Sequence, residues 1–340
     1  MFELIKDDLK WEISRDFPAV EGYWNQLLGN GAAHHVFQRP EWVRAWWLEL
    51  GQGDLEILLI KRNGKAVGIA PLLRQQDRIT LTGDEDLCDY LDIIALPGEE
   101  RAVVSAMLDY RKLKGGVFNL APLHPTSPLL SSLPALARER NRPAFTRALD
   151  VSYWLDLPES WDEYLRLLPS RDRHELQRKF RRLEKAGNIR FYASRSIPDD
   201  FDSFLYLFRN SRRDKTAFLT PQREAFFRRL AVSAENQSWL RLYFLELNDK
   251  RVATTFCFDY NGVVYLYNSG YDPGYSALSA GLLCKALSIK QAVEEGRKGF
   301  DFLKGDEDYK TNLGGRPVPL YRLIMDESYS ENPLTMENSL

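Results

Sequence analysis

Two stretches in the second half of the chain carry the residue types that a phosphate-bearing ligand and proton transfer would need. Between Tyr265 and Leu287 the sequence reads YLYNSGYDPGYSALSAGLLCKAL. The pattern predicts a strand ending at Ser269, a loop bearing glycine and proline, and a helix opening on Ala280-Gly281 with Ser276 or Ser279 as its cap. Small residues let a ligand approach the backbone, while the free N–H groups and dipole of a helix start favour a diphosphate. The stretch reads as a candidate pyrophosphate cradle or, equally, as an ordinary capped helix.

Just past the next strand comes FDFLKGDEDYKTNLGG, Phe300 to Gly315. Gly305 allows a sharp exit into a short helix, on which Asp306, Tyr309, Lys310 and Leu313 share one face. A carboxylate, a phenol and an ammonium are therefore expected at the carboxyl end of a sheet strand, where open α/β sheets hold their ligands. The plainer alternative makes Asp306 an N-cap and Lys310 a solvated residue. A third stretch, LLPSRDRHELQRKFRRLEKAG from Leu167 to Gly187, has Leu176, Phe180 and Leu183 as its apolar stripe. Arg171, Arg178, Arg182 and Lys185 make the rest either a solvated helix face or an anion-binding wall.

Several chemistries lose their usual support. The sequence has no G-x-S-x-G elbow, no Walker-type loop, no H-E-x-x-H and no strand-borne G-x-G-x-x-G. His34, His35, His124 and His174 lack Cys or carboxylate partners at metal spacing, so no metal is expected. Cys88, Cys257 and Cys284 sit far apart in apolar runs and read as reduced core thiols. Lys and Arg number 46 against 48 Asp and Glu, so no global field draws the protein to nucleic acid or membrane. Without a leader-like or bilayer-spanning segment, a cytoplasmic location is expected.

The elements that must position these residues come in duplicate, at an offset of about 185 residues. LEILLIKRNGKAVGIAPLL (Leu55 to Leu73) is two apolar runs joined by Asn63-Gly64, and LRLYFLELNDKRVATTFCF (Leu240 to Phe258) repeats it. After the first hairpin come a strand Tyr90–Ala95, a helix Glu99–Leu113 and a strand Val117–Ala121; after the second come a strand Val263–Ser269, a helix Ala280–Glu295 and a strand Phe300–Leu303. Strand, helix, strand units of this length make parallel crossovers, so each half should hold a mixed sheet flanked by helices, an α/β (α+β) class. Further helices are expected over Phe37–Leu50, Trp161–Lys185, Asp199–Arg213 and Gln222–Glu235, with Trp42 and Trp46 as core. The expected domains are 1–148 and 149–325, followed by a polar, disordered tail at 326–340. In the first half the cradle's counterpart is ALPGEE, where Glu99 and Glu100 would repel a diphosphate. If one half binds such a cofactor, it is the second.

FQRPEWVRAWW, SRDRHELQRKFRRLE, YNSGYDPGYSALSAGLL and FDFLKGDEDYK together resemble the CelD-like, BioF2-like branch of the GNAT acetyltransferase superfamily, related to Fem-type transferases with duplicated GNAT domains. One departure is Ser279-Ala280-Gly281, where relatives commonly have Ser-Pro-Gly. The resemblance implies a degenerate first domain and a catalytic second one. It implies direct acyl transfer from acetyl-CoA or another acyl-CoA to an amine or hydroxyl, the acceptor being a small molecule or a sugar precursor of envelope or exopolysaccharide synthesis. Tyr309 would protonate the leaving thiolate and Asp306 or Glu307 would help deprotonate the acceptor, with Lys310 beside them. Tyr271, Ser276, Leu278, Ser279, Ala280, Gly281 and Leu282 would contact the cofactor, and Arg173, Arg178, Asp272 and Lys304 the substrate. The alternatives are Fem-like aminoacyl transfer from charged tRNA and a non-catalytic scaffold of a polysaccharide assembly.

Overall fold

The structure is a computed structural model that describes residues 8–31 and 34–326. The polar tail read at 326–340 lies outside the described residues from 327 onward. The chain divides into two compact units, one comprising Met1–Trp47, Gly51–Leu149 and Pro319–Leu340, the other Leu48–Leu50 and Asp150–Val318. The first break falls beside the expected 148/149 boundary. The stretch from Pro319 groups with the first unit, whereas the sequence assigned everything to residue 325 to the second domain.

The elements run β1 (Leu9–Ser14), α1 (Phe17–Gly29), α2 (Pro40–Leu50), β2 (Asp54–Arg62), β3 (Lys65–Gln75), β4 (Arg78–Leu81), β5 (Ile94–Ala95), α3 (Glu100–Lys114), β6 (Val117–Leu123) and α4 (Pro128–Glu139). They continue with β7 (Phe145–Asp156), α5 (Trp161–Leu167), α6 (Ser170–Glu184), β8 (Ile189–Ala193), α7 (Ile197–Ser211), α8 (Arg213–Phe218), α9 (Pro221–Asn236), β9 (Leu240–Leu247), β10 (Lys250–Tyr260) and β11 (Val263–Tyr271). Then follow α10 (Ala280–Glu294), β12 (Gly299–Lys304), α11 (Asp308–Asn312) and β13 (Arg316–Met325).

In the first unit the strand order is β1-β2-β3-β4-β6-β13, with β5 paired to β3. In the second it is β7-β12-β11-β10-β9-β8. The strand pairing is mixed in each unit, with one parallel contact apiece, β4 with β6 and β11 with β12. The two hairpins match at their turns. Asn63-Gly64 has φ of 50° and 77°, and Asn248-Asp249 has 50° and 63°, the paired left-handed residues that suit the twist of flanking strands.

The parallel crossover expected in each half forms fully only in the second, where α10 links β11 to β12. In the first, the strand expected over Tyr90–Ala95 shrinks to Ile94–Ala95 and pairs antiparallel with β3. The preceding residues are held as a buried loop, Leu91 N–H donating to the Pro122 carbonyl at 2.8 Å and the Asp92 carboxylate accepting from its neighbour's N–H. β4 takes the vacant parallel position. The single helix expected over Trp161–Lys185 is two, because Pro169 holds Leu168 extended at φ −69°, ψ 143°.

Trp42 and Trp46 are core residues, their indole N–H groups donating to Cys88 Sγ at 3.4 Å and Asp84 Oδ2 at 2.5 Å. All three cysteines are free and buried. In the second unit α10 lays Leu283, Cys284, Ala286 and Ile289 on one sheet face, against Val252 and Cys257 of β10 and Phe300 and Phe302 of β12. The other face meets an aromatic cluster in which Phe204 and Phe227 pack edge-on to Phe256. Burial on both faces explains why β10 reads as an almost unbroken apolar run.

Candidate active site

The β11–β12 ladder covers only Val263–Tyr265 with Gly299–Asp301. Beyond it the two strands part from each other, β11 continuing beside β10 to Tyr271 and β12 beside β7 to Lys304, and the residues of interest lie around these strand ends. After β11 the Asp272 carboxylate accepts from Gly274 N–H at 2.9 Å, setting a 3-10 turn over Pro273–Leu278. Ser279 then adopts a left-handed conformation, φ 58° and ψ 34°, and α10 begins. The expected serine cap is absent. Ser279 makes no side-chain cap bond; its hydroxyl accepts instead from Arg182 Nη2 at 3.1 Å, and its N–H donates to the Ser276 carbonyl at 2.9 Å. The first turn of α10 is thus left open to an outside acceptor.

Gly281 lies against the ring of Tyr271, so that a Cβ there would sit 2.9 Å from Tyr271 Cδ1. A cavity of about 240 Å³ opens at this point, lined by Tyr271, Ser276, Ser279, Ala280, Gly281, Leu282, Lys285 and Tyr309. Six of the seven expected cofactor contacts therefore meet in one place. Leu278 does not join them, packing against the apolar core instead.

Tyr309 projects from α11 into the same cavity, and burial pushes its phenol well above the ordinary tyrosine value, keeping the proton on. Its companions on the expected catalytic face go elsewhere. Helix α11 starts only at Asp308, so Asp306 lies outside it and accepts from the Tyr153 hydroxyl at 2.5 Å. Lys310 is buried and turned inward, donating to the carbonyls of Leu303, Lys304 and Gly305 at 2.9, 2.6 and 2.9 Å while pairing with Glu307 at 2.9 Å. Its ammonium ties off the irregular exit of β12, where Gly305 has φ +111°. Glu307 is exposed at the helix start.

Two lysines absent from the sequence reading complete the surroundings. Lys285 is buried on α10, its Nζ 3.3 Å from the Gly281 carbonyl and 4.6 Å from the centre of the Tyr309 ring. Lys215, on α8, donates to the Ser269 carbonyl of β11 and lies 4.7 Å from the Phe208 ring centre. Burial draws the Lys215 ammonium down to about 7, with Lys285 and Arg212 adding like charge. A lone charge within AGLLCKALSI, on a helix otherwise facing the core, was the available signal for Lys285. The short polar segment holding Lys215 offers none.

A second, larger cavity of about 980 Å³ lies between α6 and α11, lined among others by Arg171, His174, Arg178, Lys179, Leu282, Asp308 and Asn312. Leu282 borders both cavities. Arg178 is bound to Glu175 in a two-pronged pair at 2.7 Å. Arg173, Asp272 and Lys304 line neither space. No group of side chains that could hold a metal ion occurs among the described residues, and no helix among them is long and apolar enough to cross a membrane.

Residues 170–311, all within the second unit, match the family model of the Acetyltransferase (GNAT) domain. No curated protein matches the chain in sequence. Among solved structures, FemX is similar over 92% of this chain and 96% of its own, with a TM-score of 0.62 at 12% identity. A tandem GNAT protein from the clavulanic acid biosynthesis pathway aligns over 96% of this chain and 100% of its own, with a TM-score of 0.51 at 12% identity. L-PGS from Bacillus licheniformis aligns over 87% and 94%, with a TM-score of 0.55 at 13% identity. These likenesses are of fold. They place the chain with GNAT-like and tandem GNAT structures.

Proposed function

We propose that the second unit transfers an acyl group from acetyl-CoA or a related acyl-CoA to an amine or hydroxyl of a small acceptor, of the sugar or envelope-precursor class, without a covalent enzyme intermediate. The observation that carries this reading is the convergence, in one cavity, of an uncapped helix start, the bare Cα of Gly281 and the half-buried Tyr309. The open turn of α10 suits a diphosphate, and Gly281 lets it approach the backbone. Tyr309 would give its proton to the departing sulfur, for which a phenol kept protonated by burial is suited. The acceptor's proton would go to solvent, since Asp306 already accepts from Tyr153 and Glu307 pairs with Lys310. The larger cavity, lined by Arg171, Arg178 and Lys179 but also by Asp172, Glu175 and Asp308, suits a polar acceptor such as a sugar.

The test is stabilisation by CoA and acetyl-CoA in a melting experiment. Ligand at 100 times its Kd adds about 2.7 kcal/mol to the native state, which for a unit of this size raises Tm by roughly 5–10 °C. No shift at millimolar CoA would overturn the reading. A shift with charged tRNA alone would redirect it to aminoacyl transfer, and a shift with neither to a non-catalytic scaffold.

A further inference from the structure

Lys285 is out of place by every rule that governs the rest of α10. Its neighbours Leu283, Cys284, Ala286, Ser288 and Ile289 are buried as a helix packed on a sheet requires, yet Lys285 carries an ammonium into the same surroundings with only 9% of its surface exposed. The side chain runs back along the helix, as helical side chains do, and brings Nζ level with the first turn. There it has one protein acceptor, the Gly281 carbonyl, at the long distance of 3.3 Å. An ammonium has three protons to give. Burying it this far under-satisfied costs several kcal/mol unless an anion completes its shell.

The missing partner would lie in the 240 Å³ cavity, of whose described lining residues Lys285 is the charged one. The groups facing Lys285 define what that anion is. Tyr309 presents its ring at 4.6 Å, so an atom that takes the phenolic proton lies within reach of both residues. Glu307 acts on it from beside α11, Arg212 from the α7–α8 junction and Lys215 from α8, with Cys257 on β10 and Cys284 on its own helix. Both thiols are held protonated by burial and supply no anion. Glu307 is taken by Lys310.

We propose that Lys285 is a catalytic residue whose ammonium holds the sulfur of departing CoA as a thiolate. The inference rests on the acyl-CoA reading and deepens it. In the transfer the acceptor's lone pair bonds to the thioester carbonyl carbon, the C–S bond breaks, and its electron pair stays on sulfur. The acceptor's proton leaves to solvent, the sulfur takes one from Tyr309, and Tyr309 recovers its own from solvent. Lys285 keeps its proton throughout, neutralising the charge on sulfur in the interval before Tyr309 delivers. Burial, opposed by the Glu307 carboxylate, brings the ammonium down to about 8 in the free protein, so at neutral pH it is charged, and an adjacent thiolate would hold the proton more firmly.

The experiment needs no acceptor. CoA and desulfo-CoA complexes are titrated with pH, and their difference in thiolate ultraviolet absorbance reads the ionisation of the bound CoA thiol. The wild type is expected to lower that ionisation by one pH unit or more from the ordinary thiol value of about 8.5. Lys285→Met should return it to the ordinary value while CoA still binds, and Lys285→Arg should keep it low. If Lys285→Met does not fold, Lys285→Gln serves the same comparison. A thiol that titrates alike in wild type and in either neutral variant overturns the proposal and leaves the acyl-CoA reading standing. Failure of the wild type to bind CoA at all overturns both.

Discussion

Replacing Gly281 probes the cradle at its narrowest point. In Gly281→Ala the new methyl lies 2.9 Å from Tyr271 Cδ1, 3.1 Å from Cγ and 3.3 Å from Cβ. Carbon atoms in comfortable contact stand about 3.5–4.0 Å apart. The backbone of Tyr271 cannot give way freely, because it pairs with Ala253 of β10 and the next residue's N–H donates to the Val252 carbonyl at 2.9 Å. The ring must therefore turn, and the space it borders is the cavity. Such overpacking costs about 1–3 kcal/mol, offset by about 0.5–1 kcal/mol for alanine's better helix propensity. Gly281→Asp adds to the same overlap a negative charge at the helix start, worth about 1–4 kcal/mol of repulsion against one phosphate charge at about 4 Å. The repulsion alone predicts a loss of CoA affinity of about 5- to 700-fold for Asp, at 1.4 kcal/mol per tenfold, and a smaller loss for Ala. Calorimetric titration of both variants, with melting curves to show that they remain folded, is the assay. If folded Gly281→Asp binds CoA as tightly as the wild type, the diphosphate does not sit at the start of α10 and the argument from the uncapped turn is wrong.

Three further outcomes are expected. Tyr309→Phe should lower the rate of transfer by about 10²- to 10⁴-fold with CoA affinity nearly intact; full activity with a lowered Tm would make the hydroxyl structural. Lys310→Met removes the donor shared by three carbonyls, one buried and two part-buried, and should cost about 3 kcal/mol of stability, seen in denaturant unfolding; an unchanged midpoint would show that the β12 exit does not depend on it. Burial raises the Asp92 carboxyl to about 7, so its contribution to stability is whole below the ordinary value of 3.8 and is lost as pH rises through 7. Asp92→Asn removes that loss, and its stability relative to wild type should climb by about 1.4 kcal/mol per pH unit across that window; parallel pH profiles would refute it.

The pieces of this fold that sequence patterns exposed are those governed by local rules. The hairpin turns at Asn63-Gly64 and Asn248-Asp249 need left-handed backbone, and those residue types supply it. The helix opening at Ala280 and the strand before Gly305 were legible for the same reason, since small residues and glycine punctuate a periodic run. Strand β4 went unread because it is four residues long; helix α1 went unread although Phe17, Val20, Trp24 and Leu27 recur at helical spacing. Pro169 breaks a helix that periodicity alone had carried across it.

By itself the sequence determined that the chain repeats an α/β order of elements, that the second half carries a helix start rich in small residues, and that Tyr309 follows within one strand and one turn of it; that this start is uncapped was decided by the structure. Turn chemistry, periodicity and the order of elements are properties of neighbouring residues, so they survive without coordinates. Which way each polar side chain points was decided only by tertiary structure. Asp306, Tyr309 and Lys310 look equivalent on a helical wheel, yet α11 is too short to include the first, and the stray carbonyls at the end of β12 draw the third inward. Lys285 shows the reverse case. Its spacing marks it as one more position on a buried helix, and only the packing of α10 beside Tyr309 turns a buried charge into a lining group of the cavity.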